Sequence, residues 1–279
     1  MMLVDYHVHS DVSEDSSASM REMAAAEAAA GVKLLCFTNH CDLLHWQDGR
    51  PNPRCRVITD ESAEKLAALR AAGDGSIELR LGLELAEGHA DPALAAALAA
   101  DGRLDFVLGS LHLLPGYGDL YRQHYTTHAQ CERMFDLYLD ELQRVAELDF
   151  YDVLAHLGYA RRYMWRDGVD AAMTLERFGA KIERLLRTVI DKGRGIELNC
   201  SGLRDESGPF PSEEILLLYR SLGGEIVTLG SDAHSPEQAG RGIAEGAAML
   251  RRIGFDRVAV FRARKAEYID ISTMIDCEG

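Results

Sequence analysis

The sequence predicts an α/β barrel, and three observations predict it. Short apolar runs alternate with longer helical patterns along almost the whole chain, as repeated βα units require. The runs recur seven or eight times without a composition break, which favours a closed barrel over an open sheet. Residues able to bind a metal fall repeatedly where those runs end, the face on which parallel barrels build their sites.

The strand candidates are 2–7, 33–37, 77–84, 105–109, 151–155, 195–199 and 226–230, with a further one at 257–261. Each is compact, apolar and bounded by Gly, Asp or Asn, the pattern of strands buried on both faces. Between the first two, Ser19-Met20-Arg21-Glu22 has the spacing of a capping box, and the Ala-rich stretch after it stops at Gly31. Asp91-Pro92 couples a cap residue to a proline at the first helical position, and Ser235-Pro236 repeats the device. Segments 128–148 and 174–192 read as long amphipathic helices, with Gly193 as a stop. Segments 41–58 and 114–127 are polar, contain Pro or Gly, and read as loops over one barrel end. Residues 262–279 read as an edge strand followed by a disordered end. No linker or low-complexity stretch marks a boundary, so 1–279 reads as one domain.

The chain has 279 residues, 47% hydrophobic and 27% charged, enough to bury a large core. Thirty Lys and Arg against 45 Asp and Glu give a net charge of -15. Such acidity opposes non-specific binding along nucleic acid or on an anionic membrane. An anionic substrate would need a local reversal of sign, which bound divalent cations supply. No apolar run reaches membrane-spanning length and no signal peptide is evident, so a cytoplasmic protein is expected. The six cysteines form no CxxC pair or regular framework and read as reduced thiols, Cys36 and Cys200 inside buried strands.

The chemistry lies in the histidines. The first strand ends in Asp5-Tyr6-His7-Val8-His9, the second in Thr38-Asn39-His40-Cys41-Asp42 and the third in Gly82-Leu83-Glu84. The next two run into Gly109-Ser110-Leu111-His112 and Ala155-His156, and the seventh into Gly230-Ser231-Asp232-Ala233-His234. Alternate strand residues point the same way, so His7 and His9 can grip one ion. Imidazole and carboxylate together suit zinc, manganese or iron. With Asp15 the candidates number nine, too many for one ion. His45, His89, His124 and His128 fall in loops or helix patterns and read as ordinary polar residues.

These motifs, in this order, resemble the polymerase-and-histidinol-phosphatase (PHP) superfamily from residue 1 to about 240. The resemblance implies a distorted (β/α)7 TIM-like barrel with a trinuclear divalent metal cluster. Carried over residue by residue, it implies one metal held by His7, His9, Glu84 and Asp232, and a second sharing Glu84 with His112 and His156. The third would use Asp15, His40 and His234; members carry His or Asp at the position of Asp15.

Within the superfamily, Glu197-Leu198-Asn199-Cys200-Ser201-Gly202-Leu203-Arg204 and the Arg161-Arg162-Tyr163 run are most similar to the histidinol-phosphate phosphatases of histidine biosynthesis. Two positions depart from the pattern. Asn39 stands where an acidic residue is common, which implies weaker support beside His40, and the segment after His156 lacks an Asp often found there.

The resemblance implies hydrolysis of L-histidinol phosphate to L-histidinol and phosphate, with a metal-bridging hydroxide as nucleophile. Arg161, Arg162 and Arg204 would bind the phosphate, with only one of the adjacent pair facing inward. Tyr117 would touch the substrate, and Asp232 or His234 would serve the leaving group. The competing readings are a phosphoesterase of the same superfamily acting on another small ester or a nucleotide, and a metal-stabilised structural module.

Overall fold

A computed structural model describes residues 1–73, 75–205 and 207–275. Its strands are β1 (Leu3–Val8), β2 (Val32–Phe37), β3 (His40–Asp42), β4 (Glu78–Ala86), β5 (Phe106–Ser110), β6 (Leu113–Leu114), β7 (Gly118–Asp119), β8 (Val153–Leu154), β9 (Gly195–Asn199), β10 (Val227–Gly230), β11 (Arg257–Arg262) and β12 (Lys265–Asp270). Helices α1 (Met20–Ala29), α2 (Ile58–Ala72), α3 (Pro92–Ala99), α4 (His128–Ala146), α5 (Arg161–Arg166), α6 (Leu175–Asp191), α7 (Glu213–Ser221) and α8 (Ile243–Arg252) lie between them.

Seven strands hydrogen-bond in parallel in the order β1-β2-β4-β5-β8-β9-β10, with β3 added on β4. The ring nearly closes where the loop after β10 meets β1. There Asp232 donates its N–H to His7 O at 2.8 Å, and His9 donates to Ala233 O at 2.9 Å. The result is the distorted seven-stranded α/β barrel that the motifs imply. Its strands are short and buried, β8 running for two residues where five were expected. The buried apolar side chains form one continuous cluster. Among the described residues no helix is long and apolar enough to cross a membrane, and the five cysteines present are buried and free. Cys277 lies outside the described residues.

Local rules account for several boundaries. Ser19 and Glu22 form a reciprocal capping box at the start of α1, and Gly31 follows its end at φ +94°. Asp91 caps α3 with Pro92 at its first position. Ser235-Pro236 does less than the sequence implies. It opens only a 3₁₀ turn at Pro236–Gln238 without a side-chain cap, and α8 begins after Gly242 at φ +81°. The segment 41–58 contains part of β3 and a 3₁₀ turn at Pro53–Arg56, and 114–127 holds most of the β6–β7 hairpin.

The strand at 257–261 is not an eighth barrel strand. As β11 it pairs antiparallel with β12, and this hairpin closes the N-terminal end of the barrel. Tyr6 Oη donates to Phe261 O at 2.9 Å, and the Phe261 ring lies 4.9 Å from that of Phe106. The hairpin turn puts Ala263 and Arg264 at φ +47° and +65°, a left-handed conformation that costs non-glycine residues about 1 kcal/mol each. Arg264 offsets this by donating to the carboxylate of Asp152 and to Ala99 O and Phe150 O. The edge strand expected after residue 262 is therefore present; the end expected to be disordered lies, from residue 276, outside the described residues.

Candidate metal centre

The C-terminal strand ends bring all nine candidate ligands to one cavity or its floor. Glu84, at the end of β4 and fully buried, is the hub. Its Oε2 lies 2.8 Å from His40 Nδ1 and 3.3 Å from His7 Nε2, and its Oε1 lies 2.8 Å from His156 Nε2 and 3.1 Å from His112 Nε2. Asp232 Oδ1 faces His9 Nε2 at 3.4 Å and His7 Nε2 at 3.6 Å. Asp15 reaches in from the loop after β1, with Oδ2 at 3.0 Å from His234 Nε2 and 3.4 Å from His40 Nε2.

Four groups have one ligand atom per residue, all within 4.8 Å of each other: His7, His9 and Asp232; His7, Glu84 and His156; His40, Glu84 and His112; and His9, His40 and His234. His7 Nε2, His9 Nε2, His40 Nδ1 and Glu84 Oε2 are buried without a hydrogen-bond partner. Buried nitrogens and carboxylate oxygens left in this state, facing one another, fit divalent cations as their missing partners. His156 and Asp232 reach their positions with φ +25° and +55°, a strained backbone held at the site by its surroundings.

Charge balance points the same way. Burial raises the cost of ionising Glu84, yet the surrounding His40, His7 and His112 hold it well below the usual carboxylate range. Burial likewise opposes ionisation of Asp232, and His7, His9 and His234 hold it low. His7 is the reverse case: burial lowers it, but Glu197, Asp232 and Glu84 outweigh that and hold it high. His9 is held well below its usual value by burial and by the neighbouring His234 and His40.

Outer contacts orient these ligands. His7 Nδ1 meets Glu197 Oε1 at 2.7 Å, and Glu197 Oε2 accepts from the His156 N–H at 2.8 Å. Gly230 has no substitute here: a Cβ would lie 2.2 Å from Glu197 Oε1 and 2.4 Å from His7 Cβ. Asp42 Oδ1 stands 3.5 Å from His112 Nδ1. Asn39, the amide where the resemblance implies an acidic residue, is fully buried and makes four side-chain hydrogen bonds.

The cavity above the ligands has a volume of about 500 Å³. Of the adjacent arginines, Arg162 lines it, with Nη1 3.9 Å from Asp232 Oδ2 and Nη2 donating to Ser201 Oγ. Arg161 instead pairs with Asp170 at 3.0 Å and borders a different cleft. Arg204, expected to bind phosphate, is half-buried and not among the lining residues, and donates to Ser231 O at 2.5 Å. Tyr117 is 49% exposed and lies outside the lining, whereas Tyr121, four residues on, is part of it. The lining also includes Tyr163, from the Arg161-Arg162-Tyr163 run, and Trp46, Arg54, Asp119 and Tyr159, which sequence reasoning did not single out. The signal for Trp46 was its place in a long segment beside a ligand strand, but the segment matched no motif. His45, His89, His124 and His128 do not line the cavity.

Residues 5–201 match the model of the PHP domain. The chain is 24% identical over 269 residues to a histidinol-phosphatase of Lactococcus lactis, covering 96% of this chain and 97% of that one. It is 27% identical over 258 residues to a probable histidinol-phosphatase of Thermotoga maritima, covering 92% and 95%. In fold it is similar to a crystal structure of histidinol phosphate phosphatase from Lactococcus lactis complexed with Zn, L-histidinol and phosphate. That likeness has a TM-score of 0.75 at 23% identity and covers 95% of this chain and 98% of that one. With the motifs, the barrel and the ligand cluster in agreement, the chain belongs to the PHP domain family.

Proposed function

We propose that the protein is a metal-dependent phosphatase that hydrolyses L-histidinol phosphate to L-histidinol and phosphate, a step of histidine biosynthesis. One observation carries the chemistry: nine ligand-type side chains converge beneath a single cavity, with Arg162 in its wall. The substrate is supported by relatives named for that activity over nearly the full length of both chains.

The ligand set favours a cluster of three divalent cations, zinc, manganese or iron. His7, His9, Glu84 and Asp232 would hold one, Glu84 with His112 and His156 a second, and Asp15, His40 and His234 a third. When bound, such cations neutralise phosphate charge and lower the pKa of water toward neutrality.

The chain's own residues do the rest. Arg162 donates to non-bridging phosphate oxygens, a role suited to a planar guanidinium, and Arg204 braces the loop that carries Asp232 by holding Ser231 O. Asp232, held as a carboxylate, accepts the proton released by the attacking water and passes it, from Oδ1 or by way of His234 Nδ1 3.6 Å away, to the leaving alkoxide. Tyr159 and Tyr163 wall the cavity and keep bulk water from the phosphate. The excess of acidic groups on the chain disfavours long polyanions, so a small ester is the partner, with no role assigned to nucleic acid or membrane. The cytoplasm is the compartment that fits a small-metabolite enzyme with free thiols.

The test is phosphate release by protein loaded with zinc, manganese or iron, from histidinol phosphate, a nucleoside monophosphate and an aryl phosphate. A clear preference for histidinol phosphate is expected. Equal turnover of all three would reassign the substrate, and release from none would leave a structural module.

A further inference from the structure

Asn39 lies at the centre of a directional chain of hydrogen bonds behind His9. The Ser10 N–H, which can only donate, meets Asn39 Oδ1 at 2.8 Å, so that atom is the amide oxygen. The Asn39 amide nitrogen faces Ser62 Oγ on α2 at 3.0 Å. The oxygen is also approached by Ser10 Oγ at 3.0 Å and Ser13 Oγ at 3.2 Å, and as a pure acceptor it receives the hydroxyl proton of each.

That fixes the polarity at Ser13. Its single hydroxyl proton is committed to Asn39, and its oxygen already accepts the His40 N–H at 3.0 Å. Toward His9 Nδ1, 3.1 Å away, Ser13 Oγ is left as an acceptor. His9 must then carry its proton on Nδ1, leaving the Nε2 lone pair directed toward Asp232 and Glu84.

We infer that Asn39 is a positioning residue for the metal site, which through Ser13 imposes the Nδ1–H tautomer on His9 and so keeps Nε2 free to bind a cation. The arrangement is uncharged. An aliphatic side chain at position 39 would free the Ser13 hydroxyl to donate to His9 Nδ1. The proton would then move to Nε2 and block the ligand position. A carboxylate at position 39 would keep the polarity, because Ser62 Oγ can rotate to donate instead.

The inference rests on the metal-site reading but not on any substrate, so its test uses metal alone. Zinc affinity is measured by competition with a chromogenic chelator for the full chain, Asn39→Leu and Asn39→Asp, with circular dichroism to confirm folding. Asn39→Leu is expected to weaken zinc binding about 10- to 100-fold, and Asn39→Asp to retain affinity within about threefold. Where Asn39→Leu does not fold, Ser13→Ala removes the same acceptor and carries the same expectation. Unchanged affinity in the variant that removes the acceptor, or an equal loss in Asn39→Asp, would overturn the inference. A protein that binds zinc as expected but releases no phosphate would refute the proposed function alone.

Discussion

Glu197→Gln is the sharpest single perturbation of the site because it replaces two acceptors with one. Glu197 Oε1 meets His7 Nδ1 at 2.7 Å while Oε2 accepts from the His156 N–H at 2.8 Å and from Asn199 Nδ2 at 3.3 Å. Both carboxylate oxygens are therefore engaged by groups that donate. A glutamine has one acceptor oxygen, so its NH₂ must oppose either the backbone N–H of His156 or Nδ1 of His7. In the first case a buried N–H loses its partner beside a residue already held at φ +25°. In the second, the proton of His7 shifts to Nε2, the atom facing Glu84 and Asp232.

Loss of an orienting partner of this kind costs about 10- to 100-fold in metal affinity, or about 1.4–2.8 kcal/mol. Chelator competition on folded protein measures it directly, and turnover is expected to fall by a similar factor at limiting metal. Metal affinity within twofold of the parent chain would refute the argument that the Glu197 carboxylate sets the His7 tautomer.

Three further outcomes are expected. Arg162→Ala should lower kcat/KM for histidinol phosphate by about 100-fold or more, while Arg161→Ala, paired with Asp170 away from the cavity, should leave it within about threefold; steady-state kinetics on both variants decides. Glu27 is fully buried, with burial and the nearby Asp5 pushing its carboxyl up to about 9, so the folded chain holds a proton that the unfolded chain releases above its usual 4.5. Stability from this group is thus full at low pH and lost as pH rises from about 4.5 to 9, and Glu27→Gln should flatten the decline in Tm measured across that window, whereas parallel profiles would contradict it. Arg264→Ala removes the nearer charged partner of the buried Asp152 carboxylate, leaving Arg194 at 3.6 Å, and should cost about 2 kcal/mol in chemical denaturation, with turnover at 25 °C unchanged.

The parts of this protein legible in its sequence are those governed by local patterns. β1, β9 and β10 announce themselves as short, mostly apolar runs, and the candidate ligands toward the ends of β1 and β10 stand out as polar residues where such runs stop. The capping boundaries of α1 and α3 are equally local. β8 is harder: Tyr151 and Asp152 look like strand, but Asp152 turns its carboxylate to the Val107 N–H and to Arg264, more than a hundred residues on. The cavity walls were not legible for the same reason. Trp46, Arg54, Asp119 and Tyr121 sit in the connecting segments 41–58 and 114–127, whose course depends on distant partners, such as the Trp46 indole that donates to Glu14 and stacks under Arg122. Asn39 read as a departure from the pattern, whereas its four bonds come from two segments distant in sequence, the loop after β1 and α2.

These nine residues are expected to drive phosphate-ester hydrolysis by holding divalent cations. The most direct measurement is phosphate release from histidinol phosphate by one preparation before chelation, after complete metal removal verified by elemental analysis, and after reloading with zinc or manganese. Turnover should disappear with the metal and return on reloading. Undiminished turnover by the verified metal-free protein would contradict it.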